Sequence, residues 1–187
     1  MAFKNIQNNT ELDFTNIALA QRFTLVPSTS QALGKPTAVS IGAYSGYSMP
    51  VYNNDNEELF FGIKAPRRWD GTTNPIVYIF CHLGNSEDVG DKFKYQLSYV
   101  GKEYGSGALT TATNDVEVET IVLTSRAAQY DSYVVAFTLD ATKLCAGCLL
   151  DARLRRIASA APAVSNEIIV TDAYINFKRD KLGVAWT

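Results

Sequence analysis

Residues 92–100 read KFKYQLSYV. Phe93, Tyr95, Leu97 and Tyr99 alternate with Lys92, Lys94, Gln96 and Ser98. Successive side chains of a strand point to opposite faces, so this spacing puts four large groups on one side and four polar ones on the other. It predicts a half-buried antiparallel strand.

The same grammar continues in both directions. Upstream, Ile76 to His82 (IVYIFCH) is apolar without a break, which predicts a strand covered on both faces. Leu59 to Lys64 (LFFGIK) reads as a strand stopped by Ala65-Pro66, Thr37 to Tyr44 as another, and Gln21 to Val26 as one ending at Pro27. Downstream, Val116 to Thr124 alternates, with Glu117 and Glu119 on the outward side. Tyr133 to Leu139, Gly147 to Ile157 and Glu167 to Lys178 complete the series. Pro, Gly, Asn and Asp punctuate the gaps, and Gly101 to Asn114 forms a long connection. About eight to ten strands at this spacing predict an all-β antiparallel sandwich of the jelly-roll type, with almost no helix. Residues 20–187 form that domain. Residues 1–19 carry Phe3, Ile6, Leu12, Phe14, Ile17 and Leu19 without a helical or strand period, and read either as an arm laid on another surface or as an edge strand.

The chain has 187 residues, of which 47% are hydrophobic and 19% charged, against about 25% charged in average globular proteins. Its surface is therefore polar rather than salt-rich. Ten Tyr and nine Phe against two Met suit a pleated core. A net charge of −2 gives no basic footprint for a phosphate backbone, so direct nucleic-acid binding is not expected. No apolar run is long enough to cross a bilayer as a helix, and the N-terminal residues do not form a secretory signal. The expected product is soluble, made in a cytoplasm, and makes no membrane contact.

Candidate chemistry is sparse. Cys145 and Cys148 have the C-x-x-C spacing of redox and metal sites, but they open a strand rather than a helix. A zinc site would have to recruit Cys81 and His82, neighbours that point to opposite strand faces. Three free thiols acting as small core residues are the expectation. His82 is the only histidine, and no G-x-S-x-G elbow supplies it with a nucleophile, so a strand-end histidine with a local hydrogen bond is expected. Asp55, Glu57 and Glu58, and Glu87, Asp88 and Asp91, form acidic runs without EF-hand spacing and read as solvated loops. No catalytic residue, metal ligand or cofactor is assigned. Trp69, Tyr44, Tyr47 and Tyr52 are candidates for a sugar-stacking platform, against the alternative that they are core or interface residues.

Residues 61–85, FGIKAPRRWDGTTNPIVYIFCHLGN, and 175–183, INFKRDKLG, resemble jelly-roll structural proteins of tailed bacteriophages. The matching positions are Lys64, Pro66, Trp69, Asp70 and Gly71, then Ile76 to Phe80, Tyr95 to Tyr99, and finally Ile175, Phe177, Asp180 and Gly183. The resemblance implies a non-enzymatic virion component, such as a capsid decoration, minor capsid-associated, head-fibre or tail-associated protein. It implies a homo-oligomer, a trimer being one option, docked on a major capsid or tail protein. It carries over no catalytic residue. The alternative is a carbohydrate-binding or receptor-recognising jelly-roll module, because the same architecture serves lectins. A cupin-type enzyme is a third option, disfavoured because one histidine is too few for its metal.

Overall fold

The computed structural model describes residues 18–22, 25–27, 36–52, 58–67, 69–103 and 113–178. Their strands, in chain order, are β1 (Ala18–Arg22), β2 (Val26–Pro27), β3 (Thr37–Ile41), β4 (Tyr44–Met49), β5 (Glu58–Lys64), β6 (Ile76–Leu83), β7 (Lys92–Lys102), β8 (Asn114–Ile121), β9 (Ser132–Thr138), β10 (Leu149–Ile157) and β11 (Ile168–Lys178). One 3-10 turn, Ala141–Lys143, is the helical element among them.

The antiparallel pairings nest. β7 pairs with β8, β6 with β9, β5 with β10 and β4 with β11. The chain thus folds back on itself as one long hairpin, rolled so that its pairs alternate between two sheets. One sheet runs β3-β4-β11-β6-β9 and the other β2-β5-β10-β7-β8. This nesting is the jelly roll. β1 also pairs with β11, along Tyr174 to Lys178, beyond the stretch of Ile168 to Val170 that β4 covers.

The alternation in β7 explains the core. Phe93, Tyr95, Leu97 and Tyr99 all face inward and are buried, opposite Val77, Ile79, Val135, Phe137, Ile175 and Phe177 from the other sheet. Burying each such side chain is worth about 1.5–3 kcal/mol. Lys94, Gln96 and Ser98 lie on the opposite side of the strand, where Lys94 pairs with Glu117 at 2.6 Å.

Two sequence expectations are corrected here. Thr37 to Tyr44 is not one strand but a hairpin: Ile41 registers with Tyr44 across Gly42-Ala43, and Gly42 takes φ +59°, which only glycine adopts cheaply. β6 is not covered on both faces. Val77, Ile79, Cys81 and Leu83 are buried, whereas Ile76, Tyr78, Phe80 and His82 are partly exposed. That second row, bordered by two clefts, forms the site described below.

Of the segment assigned as an arm or edge strand, Ala18 and Leu19 belong to β1, and residues 1–17 lie outside the described residues. Asp55, Glu57, Asp180, Gly183 and most of the 101–114 connection also lie outside them. Among the resemblance positions, Trp69 is buried against Phe177, with ring centroids 5.5 Å apart, and its Nε1 donates to the Thr73 carbonyl at 3.0 Å. Asp70 then closes the turn, accepting from the Thr72 and Thr73 N–H groups at 2.9 and 2.8 Å.

Candidate functional site

The outer faces of β6 and β11 carry the site. Inward residues of β11 fall at Ile168 and Val170 and then at Ala173, Ile175 and Phe177. The change of parity is made by a bulge between Val170 and Asp172, where Val170 registers with Cys81 and Asp172 with Phe80. The extra residue, Thr171, re-aims everything after it, so Asp172, Tyr174 and Asn176 stand on the open face beside β6.

Three rings stack there. Tyr174 lies between Tyr78 and Phe80, with ring centroids 4.9 Å apart and planes at 22° to the first, and 5.4 Å and 29° to the second. The outer members each keep one face uncovered by Tyr174, and each borders a cleft. The Phe80 side opens on a cleft of about 450 Å³ lined by Tyr44, Ser45, His82, Ser132, Thr171 and Asp172. The Tyr78 side opens on one of about 210 Å³ lined by Thr73, Asn74, Ile76, Asn176 and Lys178. Hydroxyls, amides and one charge of each sign surround an aromatic ridge.

His82 is held rigidly in the larger cleft. Its Nδ1 lies 3.1 Å from the Tyr130 carbonyl and 3.0 Å from Ser132 Oγ, and its Nε2 lies 3.1 Å from Thr171 Oγ1. A carbonyl only accepts, so Nδ1 carries a proton and donates it, while Nε2 lies against the Thr171 hydroxyl, which is also 3.5 Å from the Phe80 carbonyl. Ser132 Oγ therefore faces a donor rather than a base. Tyr130 holds φ at +67°, an unusual conformation for a bulky residue. Its N–H donates to the Leu83 carbonyl at 2.9 Å while its own carbonyl takes the imidazole, which fixes it there.

The sequence candidates separate cleanly. Of the four aromatics proposed as a platform, only Tyr44, 72% exposed, borders the site. Trp69 is core, Tyr47 packs against the core, and Tyr52 lines a separate small cavity beside Arg156. Tyr78, Phe80 and Tyr174 were missed because each was read as an ordinary strand residue. The usable signal was an apolar residue at every position of β6 up to His82, which implies a second apolar face needing a partner.

Other candidates have structural partners. Cys145 and Cys148 are joined as a disulfide across a turn with Gly147 at φ +83°, correcting the expectation of free thiols at these positions. Cys81 is the remaining free thiol, fully buried, and burial pushes its pKa up to about 12 despite the Arg156 charge. Glu58 is a strand residue, not a loop residue, and meets Arg153 at 3.1 Å. Glu87 is also committed, clamping the N–H groups of Ser165 and Asn166 at 3.0 and 2.8 Å. Asp91 accepts from the Asp88 N–H at 3.1 Å. Among the described residues no cluster of His, Cys, Asp and Glu is arranged to hold a metal ion, and no helix is long and apolar enough to cross a membrane.

The outer face of the second sheet is different in kind. Lys94, Glu117, Gln96, Arg155, Arg153 and Glu58 form a ladder of mutual contacts across β8, β7, β10 and β5. Such a ladder pairs its charges across the strands, with Glu58 buried at its end.

No family model matches this chain, and no curated protein matches it. Among solved structures, it is similar to the xylan-binding module CBM15, at 7% identity over 88% of this chain and all of that one, with a TM-score of 0.45. It is also similar to the K1 cleaved adhesin domain of Lys-gingipain from Porphyromonas gingivalis W83, at 11% identity over 85% of this chain and 97% of that one, with a TM-score of 0.42. The mannan-recognising module TmCBM27 gives 11% identity over 94% and 92% of the two chains and a TM-score of 0.38. Likeness this remote carries no ligand or residue role to this chain. The site rests on its own geometry.

Proposed function

We propose that this protein is a non-catalytic glycan-binding jelly roll that takes an oligosaccharide across the open face of β6 and β11. The observation that carries the reading is the Tyr78, Tyr174 and Phe80 stack, left partly exposed between two clefts edged with hydroxyls and amides. A sugar ring presents an apolar C–H face and a rim of hydroxyls. Phe80 and Tyr78 supply ring faces for the first, and Asp172, Ser132, Thr171, Asn176 and Asn74 supply partners for the second. From Ile76 to His82 the row spans six residue steps, roughly 20 Å at about 3.3 Å per residue, which suits a chain of sugars better than a single one. The Asp172 carboxylate at the larger cleft adds a hydrogen-bond acceptor for sugar hydroxyls.

Jelly-roll topology serves capsids and lectins alike, so it does not choose between a virion component and a glycan binder. The exposed ring stack favours the glycan reading, and a glycan-binding domain can itself be part of a virion. The test is a panel of soluble neutral and acidic oligosaccharides titrated by calorimetry against the wild type and Phe80→Ala. Binding of an oligosaccharide that weakens in Phe80→Ala, with melting preserved, supports the reading. No binding across the panel, or binding indifferent to Phe80, overturns it.

A further inference from the structure

β9 closes one edge of the aromatic sheet, and it is unusually bare. Its sequence, SYVVAFT, has no charge and no proline, and its register with β6 runs from Ser132 to Thr138 without a shift. Exposed edges are ordinarily blunted by lysine, proline or a bulge, because their unpaired N–H and C=O groups invite another strand. β8, the corresponding edge of the other sheet, follows that rule with Asp115, Glu117 and Glu119.

The direction of the backbone groups is readable. The Leu139 N–H donates to the Pro75 carbonyl at 2.9 Å and the Asp131 carbonyl accepts from Leu83 N–H at 3.1 Å, so odd-numbered residues turn toward β6. Ser132, Val134, Ala136 and Thr138 therefore turn outward. Arg126 confirms the direction, its Nη1 donating to the outward Ser132 carbonyl at 3.3 Å. The outward groups of Val134, Ala136 and Thr138 have no partner among the described residues.

We infer that β9 pairs antiparallel with β9 of a second copy of this chain, centred on Val135. In that register Val134 faces Ala136 of the other copy, so free outward groups meet free outward groups on both sides of the two-fold axis; Ser132 faces Thr138, where its carbonyl exchanges the Arg126 donor for the Thr138 N–H of the other copy. No like charges oppose each other: Asp131 falls across from Leu139 and Asp140 from Tyr130. A strand that is uncharged, unbulged and self-complementary in this way selects itself as partner.

The axis stands perpendicular to the sheet, so the aromatic faces of both copies lie on the same side of one continuous sheet. The two β6 strands sit three strand spacings apart, about 14 Å. This consequence rests on the glycan reading. It gives two sugar sites aligned for one multivalent surface, where the second contact is strengthened by effective concentration. The pairing itself does not depend on sugar.

The experiment is sedimentation velocity over a concentration series, without glycan, on the full chain and two variants at exposed positions. Val134→Lys with Ala136→Lys places lysines opposite one another twice, and Val134→Lys with Ala136→Glu places opposite charges together. The expected result is a concentration-dependent dimer for the wild type and for the Lys/Glu variant, with dimerisation at least about tenfold weaker in the Lys/Lys variant. In the wild type, amide exchange at Val134 and Ala136 slows as concentration rises, a readout that needs no mutation. A wild type that is monomeric throughout overturns the pairing, as does equal dimerisation of the Lys/Lys variant or a Lys/Glu variant as weak as Lys/Lys. Exchange at Val134 and Ala136 that is independent of concentration overturns it as well.

Discussion

Arg156 reaches from the inner face of β10 to Met49 at the end of β4, its Nη1 donating to the Met49 carbonyl at 3.2 Å. The same nitrogen lies 2.9 Å from the Pro50 carbonyl and 2.8 Å from that of Asn166, and Nη2 lies 3.3 Å from that of Val164. Arg156 is 4% exposed, and its guanidinium ties three chain segments at one end of the sandwich. A planar fork of five donors spreads over several carbonyls in a fixed geometry, where an ammonium offers three donors from a single atom.

Arg156→Met should therefore destabilise the fold by roughly 3 kcal/mol, because it leaves buried carbonyls without donors. Arg156→Lys should recover less than half of that. Urea unfolding monitored by tryptophan fluorescence measures both. A loss under about 1 kcal/mol for Arg156→Met would mean that the carbonyls find other partners.

How much of this was legible follows from period and parity. The Phe93 to Tyr99 alternation specified a half-buried strand because each change of face is also a change of polarity. Arg156 obeys the same parity, continuing the inward series Leu150, Ala152, Leu154, but its charge kept it out of the reading. The nested pairing was not legible, since any of the strands could have partnered several others by pattern alone. The ring stack was hidden for another reason. Tyr78 and Tyr174 are far apart in the chain, and the Thr171 bulge that sets Tyr174 on the open face is a local event with no composition of its own.

The thiols should report the arrangement of the cysteines directly. Cys81 is buried with its pKa pushed up to about 12, so it has almost no thiolate at ordinary pH. Native protein prepared without reductant should show no rapidly labelled thiol. Unfolding should expose one per chain, Cys81, and unfolding with reductant should expose all three. Three thiols on unfolding alone would show that Cys145 and Cys148 are not joined.

Acid should loosen the turn after Trp69. Burial raises the Asp70 pKa, but the hydrogen bonds from the Thr73 side chain and from the Thr73 and Thr72 backbones, with the Lys178 charge, outweigh it and hold the carboxyl below its usual value of 3.8. A depressed folded-state pKa contributes stability that is present above the unfolded value and is lost as the pH falls through the folded one. Asp70→Asn should thus melt below the wild type at neutral pH, and the two curves should converge in strong acid. A melting gap that stays constant with pH would remove the carboxylate from the account.

The aromatic face makes the sharpest demand, because its two clefts share one ridge. Phe80→Ala removes the ring face bordering the larger cleft and leaves Tyr78 against Tyr174, whereas Tyr78→Ala does the reverse. Each should cost about 1 kcal/mol of binding, roughly fivefold in Kd, for an oligosaccharide long enough to reach both clefts. Tyr174→Ala should cost more than either alone, since it frees both neighbouring rings to leave the geometry that stacking requires. All three side chains are partly exposed on the outer face, so folding should survive each change. Shortening the ligand should separate the clefts: a short oligosaccharide held in the larger cleft should keep its sensitivity to Phe80 and lose its sensitivity to Tyr78. If both substitutions act equally on the shortest ligand that still binds, the stack is one site and the smaller cleft is not a separate subsite.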